Sequence, residues 1–183
     1  FPAPFPAELL WQPEHLIAHL ERFPEGQFVA VDLAGGVVAS ASSAIVSESA
    51  WLAHLTWEET LGGMTFERHD PTGSTLYGAD ISVHPDHRGQ GIARKLYEAR
   101  FELVRRLGLV RYGTACRLPG CSGWAEIHGG TPAEYVLAVE SGAASDRTLT
   151  PLLRMGLRPT GVIQDYMQDE ESMNAAAILE WTP

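Results

Sequence analysis

The stretch LYGADISVHPDHRGQGIARKLYEARFELVRRLG, residues 76–108, predicts a strand, a glycine-rich turn and an amphipathic helix, in that order. The strand signal is Leu76, Ile81 and Val83, and it ends before Pro85 because proline has no N–H to donate to a neighbouring strand. Apolar residues then recur at three- and four-residue spacing, which is typical of one helix face, at Ile92, Leu96, Ala99, Leu103 and Leu107. This strand–turn–helix unit organises the rest of the chain.

The turn between this strand and this helix is suited to binding an anion. It reads R-G-Q-G-I-A over residues 88–93, and it brings bare backbone to a helix N-terminus. Unpaired N–H groups and the positive end of the helix dipole meet there, so phosphate is the natural ligand. The spacing fits neither the dinucleotide-binding pattern G-x-G-x-x-G nor the nucleotide-binding P-loop, because no Lys-Ser/Thr pair follows Gly91. A glycine-rich helix start without a ligand is the alternative.

Over V-H-P-D-H-R-G-Q-G-I-A (83–93) the chain resembles the GNAT superfamily of N-acetyltransferases, whose acyl-CoA pyrophosphate lies on this turn. Shorter runs, such as H-D-P-T-G (69–73) and T-P-A-E-Y-V (131–136), resemble the acetyltransferase domain that is sometimes fused to a carbon–nitrogen hydrolase. The resemblance implies acetyl-CoA as cosubstrate and no metal ion. It also implies that CoA is bound by Ile81, Ser82, Val83, Arg88, Gly89, Gln90, Gly91, Ile92, Ala93 and Arg94.

The rest of the chain alternates short helices and strands. Strands are expected at 27–33, 37–46, 76–84, 110–116, 157–166 and 175–181, with a hairpin turn at Gly35-Gly36. Helices are expected at 13–23, 92–107 and 131–142, and a further one is capped by Asp146 and ends at Gly156. Residues 47–73 predict a short helix or a folded loop that forms a wall of the acceptor pocket, and residues 117–123 predict a loop.

This order of elements resembles the GNAT fold from its second helix onward. We therefore expect an α/β protein with a mixed (α+β) sheet, mostly antiparallel and flanked by helices. The strands before and after the central helix should form a parallel pair, which the resemblance implies is splayed. Residues 1–183 should form one domain, with the first strand and the first helix of the family fold missing from the N-terminus.

The composition limits the partners. The net charge is −10, which disfavours nucleic acid, and the sequence contains neither a membrane-spanning apolar run nor a secretory signal. Cys116 and Cys121 are expected to be free thiols, because a zinc site would need two more ligands at matching spacing. A cytoplasmic protein is expected, and a homodimer is compatible with the sequence.

Acetyl transfer to an amine needs a general base, since an ammonium is not a nucleophile. Asp80 on the central strand is the first candidate and His84 is the second, while His87, Glu58 and Glu59 are read mainly as solvated side chains. The resemblance implies that a backbone N–H within 82–84 polarises the thioester carbonyl.

Many GNAT enzymes protonate the departing thiolate with a tyrosine four residues before the glycine that ends the last helix. That position is Leu152 in this chain, counted back from Gly156, and leucine has no proton to donate. Tyr112, Tyr135 or Cys116 then takes the role, or the thiolate leaves unaided; Tyr112 is the residue we select.

The resemblance implies an acetyl-CoA-dependent N-acetyltransferase in which a primary amine attacks the thioester directly, in a ternary complex. The acceptor is a small-molecule or peptide amine that the sequence does not identify. The alternative is a catalytically weak acyl-CoA-binding regulatory module, which the absent tyrosine and the likeness to a fused domain favour.

Overall fold

The computed structural model describes residues 10–183 and shows a six-stranded mixed sheet. The strands run in the spatial order β1-β2-β3-β4-β6-β5, and each neighbouring pair is antiparallel except β3 and β4. The strand bounds are β1 Gln27–Val31, β2 Val37–Val46, β3 Thr75–Val83, β4 Arg111–Arg117, β5 Arg158–Ile163 and β6 Ala176–Trp181. The expected mixed, mostly antiparallel architecture is confirmed.

Seven α-helices lie within the described residues. Their bounds are α1 Pro13–Arg22, α2 Glu48–Leu52, α3 Trp57–Leu61, α4 Ile92–Leu107, α5 Cys121–His128, α6 Pro132–Glu140 and α7 Leu149–Arg154. Threonine–glutamate capping boxes begin α3 and α6: Thr56 and Glu59 exchange hydrogen bonds at α3, and Thr131 and Glu134 do so at α6. None of these helices is long and apolar enough to cross a membrane.

The segment predicted as a loop at 117–123 is partly helical, so that prediction was wrong from Cys121 onward. Helix α5 begins after Gly120 without a side-chain cap and contains Gly123, and both features favour a turn when read locally. Tertiary packing overrides them, since Cys121 is fully buried and Trp124 packs against the main core.

The splayed strand pair is the feature of the sheet that shapes the site. Strands β3 and β4 pair only over Thr75–Tyr77 and Arg111–Gly113, and β3 continues to Val83 without β4 beside it. A bulge lies where the separation begins, because Ser42 faces Asp80 and Ser43 faces Gly78. The extra residue, Ala79, bends β3, and its carbonyl accepts a hydrogen bond from Trp57 Nε1 at 3.0 Å.

The main core fills the space between the sheet and helices α4, α6 and α7. Its fully buried members include Leu76, Tyr112, Leu149 and Leu179. A second cluster on the opposite face of the sheet joins Trp51, Leu61, Phe66 and Tyr77, so the segment 47–73 covers that face. The two clusters hold β3 from both sides.

Candidate active site

One cavity of about 1070 Å³ extends from the turn before α4 to the side of helix α1. Its walls come from α1, β1, β2 and β3, with Pro151 of α7 at one edge. Its volume lies at the upper end of the ~300–1,000 Å³ typical of small-molecule sites, so it has room for a donor and an acceptor together.

The predicted CoA residues gather at one end of this cavity. Eight of the ten line it, namely Ile81, Ser82, Val83, Arg88, Gly89, Gly91, Ile92 and Ala93. The other two point elsewhere: Gln90 donates to the Asp86 carbonyl at 3.4 Å, and Arg94 pairs with Glu98 at 3.6 Å on the surface of α4.

The N-terminus of α4 has the properties of an anion site. The helix begins after Gly91 with no side-chain cap and no acidic residue in its first turn. Gly89 and Gly91 have φ angles of 74° and 77°, and no heavy atom lies within 4 Å of where a Cβ would stand on either residue. The backbone is therefore open to a ligand, and Arg88 lies beside it with Nε donating to the Val83 carbonyl at 3.1 Å.

Strand pairing determines which N–H groups face the splayed gap. The His84 N–H donates to the Val38 carbonyl of β2 at 2.8 Å, so His84 and Val38 form a hydrogen-bonded pair. Such pairs alternate along an antiparallel ladder, so the Val83–Ala39 pair is of the other kind. The N–H of Val83 therefore points away from β2, toward the side where β4 has diverged.

Asp80 lies where β3 and β4 separate, on the cavity wall. Its Oδ2 accepts a hydrogen bond from Trp11 Nε1 at 3.3 Å. Burial raises the pKa of the Asp80 carboxyl, and the Trp11 bond and the charge of Arg100 only partly offset that rise. A carboxylate with a raised pKa is a stronger proton acceptor than an ordinary surface aspartate.

Arg100 of α4 is a buried cation behind Asp80, with 1% of its surface exposed. Its Nη2 donates to the carbonyls of Ser42 (2.8 Å) and Asp80. Its Nε and Nη1 donate to the hydroxyls of Ser43 (3.1 Å) and Tyr112 (3.3 Å). Within residues 10–183 no carboxylate lies within ion-pair distance of it. Arg100 thus fixes the bulge of β3 and places positive charge beneath the cavity floor.

The other two predicted catalytic residues lie outside the cavity lining. The ring of His84 accepts from the Asp86 N–H at 3.3 Å and begins the short turn after β3. Tyr112 is fully buried, and its hydroxyl is held by Arg100. Burial also raises the pKa of the Tyr112 hydroxyl.

Two of the other candidate acids and bases, Tyr135 and Glu59, make hydrogen bonds that stabilise the fold. The Tyr135 hydroxyl donates to Asp146 Oδ2 at 2.9 Å, and burial raises the pKa of the Cys116 thiol. Glu59 is part of the cap of α3. His87, by contrast, lines the cavity beside Arg88.

Sequence reasoning missed the residues that form the other end of the cavity. Trp11, Leu16 and Leu20 line it from the side of α1, and Ser40 and Ser42 lie on β2 opposite Ser82 and Asp80. A signal existed in α1, where apolar residues recur at helical spacing at Leu16, Leu20 and Phe23. The leucines of that face stay 44% and 55% exposed, so the face borders the cavity instead of entering the core.

An apolar residue occupies the position at which the resemblance predicts a tyrosine. Leu152 lies in α7, is buried, and belongs to the main core. Its neighbour Pro151 reaches the cavity but offers no donor. The described residues at this edge of the cavity therefore supply no hydroxyl to a departing thiolate.

Comparison with known proteins agrees with this geometry. The GNAT-like decarboxylase GphF, solved in complex with isobutyryl-CoA, superposes with a TM-score of 0.79 at 23% identity, covering 97% of this chain and 88% of that one, and so shares the fold. YhcX of Bacillus subtilis (strain 168), a probable hydrolase, is 35% identical over 178 residues, which are 97% of this chain and 34% of YhcX. This chain thus spans about a third of that relative.

A shorter relative matches along most of its length. YkwB of Bacillus subtilis (strain 168), an uncharacterized N-acetyltransferase, is 35% identical over 181 residues, which are 99% of this chain and 79% of YkwB. The model of the acetyltransferase (GNAT) family matches residues 1–120. This range includes β3, α4 and the glycine-rich turn of residues 88–93, which is called the phosphate turn below after its predicted ligand. Sequence, fold and cavity lead to one assignment: the chain is an acyltransferase of the GNAT family.

Proposed function

We propose that this protein is an acetyl-CoA-dependent N-acetyltransferase that acts on a primary amine by direct attack in a ternary complex. The observation that carries the proposal is the continuity of the cavity. It joins an open helix N-terminus, suited to the phosphates of CoA, to a half-buried carboxylate, Asp80, suited to an amine.

The donor would be held by the turn and by β3. The N–H groups at the start of α4, with Arg88 beside them, would bind the pyrophosphate. The pantetheine arm would lie in the gap where β4 has left β3, alongside Ile81 and Val83. That placement brings the thioester near Asp80, and the Val83 N–H would donate to its carbonyl oxygen as negative charge develops there.

The chemistry then requires proton transfers at both ends. The acceptor ammonium first loses one proton to solvent through the Asp80 carboxylate. The neutral nitrogen then attacks the thioester carbon, a second N–H proton passes to the Asp80 carboxylate directly or through water, and the carbon–sulfur bond breaks. The products are an amide and the CoA thiolate. Arg100 would act as a positioning residue, because it holds the Asp80 carbonyl and the bulge that directs the carboxylate.

Protonation of the departing thiolate requires an acid that can reach the sulfur. The Tyr112 hydroxyl is enclosed by the core and bound to Arg100, so its proposed role as the acid needs a proton path through the Arg100 site. A CoA thiol is acidic enough to leave as thiolate into water, at a cost in rate. For this reason a second candidate function is a catalytically weak module that binds acyl-CoA.

Calorimetry with CoA tests the donor half of the proposal. Arg88→Glu places a negative charge beside the pyrophosphate site and should weaken CoA binding at least tenfold. Arg106→Glu, on the exposed part of α4 and away from the cavity, is the matched control and should bind CoA like the wild type. Unchanged affinity in Arg88→Glu would refute the phosphate turn.

Thiol release from acetyl-CoA with a panel of primary amines tests the acceptor half. Amine-dependent release supports the enzyme, whereas tight CoA binding without amine-dependent release supports the module. The two candidate functions therefore predict different results in the same assay.

A further inference from the structure

The end of the cavity opposite the phosphate turn is apolar apart from its floor. Leu16 and Leu20 of α1 and Val29 and Val37 of the β1–β2 hairpin form its sides. These side chains are 44–62% exposed, so they are not buried in the core and are available to contact a ligand. Trp11 adds aromatic surface.

The floor of this end carries a narrow row of polar groups. Ser42 lies opposite Asp80, and Ser40 lies opposite Ser82, so the four side chains share one face of β2 and β3. This row has the size and chemistry for a single ammonium or amine, with one carboxylate and several hydroxyls. It has no second acidic group: among the lining residues that the structure describes, Asp80 is the one carboxylate.

The cations of the cavity also lie at the wrong end for an anionic acceptor. Arg88 and His87 belong to the turn before α4, where the donor phosphates would lie. His19, at the acceptor end, is buried, and its Nε2–H donates to the Met64 carbonyl at 2.8 Å. Burial lowers the pKa of His19, so its ring is neutral.

We propose that the acceptor is a primary amine with one positive charge on an apolar body, bound between α1 and the β1–β2 hairpin with its nitrogen on Asp80. This inference rests on the proposed function and specifies its substrate class. A diamine would bring a second charge against Leu16 and Leu20, and a free amino acid would bring a carboxylate beside Asp80. The diamine would place an unpaired charge against an apolar wall, and the amino acid would place two negative charges side by side; both arrangements are unfavourable.

Kinetics with matched amines provide the test. In the n-alkylamines from ethylamine to hexylamine, kcat/KM should rise about two- to fourfold for each added methylene, as for burial of one CH₂. Hexylamine should exceed 1,6-diaminohexane, and phenethylamine should exceed phenylalanine, each at least tenfold. A tetrapeptide beginning with leucine, compared with hexylamine, shows whether the apolar body is a small molecule or a peptide. No dependence on chain length, or a preference for the diamine, would overturn the inference.

A variant that should weaken the preference for the monoamine tests whether this wall determines it. Leu20→Asp places a carboxylate in the wall and should reduce the preference for hexylamine over 1,6-diaminohexane about threefold or more. The control is Ile127→Asp, a similar change at a 79% exposed position of α5 outside the cavity, which should leave the preference unchanged. Equal effects of both variants would contradict the proposed wall.

Failure of the inference and failure of the proposed function are distinguishable. If amines are acetylated without regard to their apolar body, only the inference fails. If no amine is acetylated, the function fails, and calorimetry of hexylamine and 1,6-diaminohexane with the CoA-saturated protein still measures the binding preference. Tighter binding of hexylamine supports the apolar site, and equal or weaker binding refutes it.

Discussion

Asp80 is the residue on which the proposed chemistry depends. It combines a position on the cavity wall, a hydrogen bond from Trp11 and a buried guanidinium behind its backbone. Burial raises its pKa, and the hydrogen bond from Trp11 and the charge of Arg100 partly offset that rise. A carboxylate with a raised pKa is a better proton acceptor than an ordinary surface aspartate.

Replacement of Asp80 by asparagine should separate binding from catalysis. Asp80→Asn keeps the size of the side chain and an acceptor for Trp11 but removes the proton acceptor. We expect kcat/KM for the amine to fall about 10²–10⁴-fold, with CoA affinity unchanged in calorimetry. In the wild type, kcat/KM should fall on the acid side with an inflection above the ordinary aspartate pKa, and the variant should lack that inflection. An unaltered rate would exclude Asp80 as the base.

The same substitution should stabilise the fold at neutral pH. The folded-state pKa of Asp80 lies above the unfolded value, so its contribution to stability is fully present below the unfolded pKa and is lost as pH rises through the folded pKa. Asparagine does not ionise, so the variant avoids the cost of burying a charged carboxylate at neutral pH. The Tm of Asp80→Asn relative to the wild type should therefore be higher at pH 8 than at pH 4. A constant difference across this range would contradict the raised pKa.

Single residues were predicted from the sequence only where the motif is local. Asp80, Arg88 and Gly91 lie within one continuous stretch, and spacing alone indicated their proximity to the turn. Trp11 is 69 residues from Asp80, and Arg100 meets Ser42 across 58 residues. Such pairs arise from chain packing, and no local pattern encodes them.

At the scale of elements, helix α4 has two functions. Its N-terminus presents the open backbone of the phosphate turn, and its third turn carries Arg100 into the core beneath β3. The same helix therefore links the proposed donor site to the β3 bulge beside Asp80. The link is made by hydrogen bonds to carbonyls, so it depends on geometry more than on charge.

Loss of Arg100 should destabilise the fold. Arg100→Met leaves two buried carbonyls and two hydroxyls without their donor, and each unsatisfied group costs about 1–3 kcal/mol. We expect the free energy of unfolding, measured in urea, to fall by at least about 3 kcal/mol. Arg100→Lys should lose less, because it keeps the charge and part of the donor set. Arg106→Met on the exposed face of α4 is the control and should change stability by less than about 0.5 kcal/mol.

Elements were predictable to different degrees for physical reasons. The β1–β2 hairpin, α4 and the capping box of α6 follow from glycine, periodicity and side-chain caps, which act within a few residues. Helix α5 forms against its local signals because Cys121 and Trp124 are drawn into the core. The bulge at Ala79 also had no signal, since it is set by pairing with β2 and by the Trp57 bond.

At the scale of the whole molecule, an ion pair joins strand β4, in the middle of the sheet, to the connection between β5 and β6. Arg117 at the end of β4 donates twice to Asp169, both at 2.6 Å, and Asp169 precedes the last strand, β6. Burial alone would raise the pKa of Asp169, but the bonds from Arg117 and Ser172 outweigh it and lower the pKa. This ion pair holds the end of β4 against the segment that leads into β6.

Stability should therefore depend on this carboxylate in acid. The folded-state pKa of Asp169 lies below its unfolded value, so the stabilisation is present above the unfolded pKa and is lost as pH falls through the folded pKa. Asp169→Asn should unfold about 1–3 kcal/mol more easily than the wild type at pH 7. Thermal melts should show this difference shrinking as pH falls below the unfolded pKa of aspartate toward the lower folded pKa. A difference that does not shrink in acid would contradict the account.

The two ends of the cavity differ in how much of their chemistry could be predicted from the sequence. The proposed donor end depends on one turn, so residues 83–93 were enough to predict a ligand class for it. The acceptor end is assembled from α1, β1 and β2 around β3, and its apolar character becomes visible only when these elements are packed. The spacing of the α1 leucines indicates a helix face, but only the packed fold shows that this exposed face borders the cavity.

Transfer of a labelled acetyl group tests the central claim most directly. The protein is incubated with acetyl-CoA carrying three deuterium atoms in the acetyl group and with hexylamine, and the products are measured by mass spectrometry together with the free CoA thiol. The account predicts deuterated N-hexylacetamide in a 1:1 ratio with the released thiol, and strongly reduced amounts of both with Asp80→Asn. Thiol release that is unaffected by the amine, with no labelled amide formed, would contradict it.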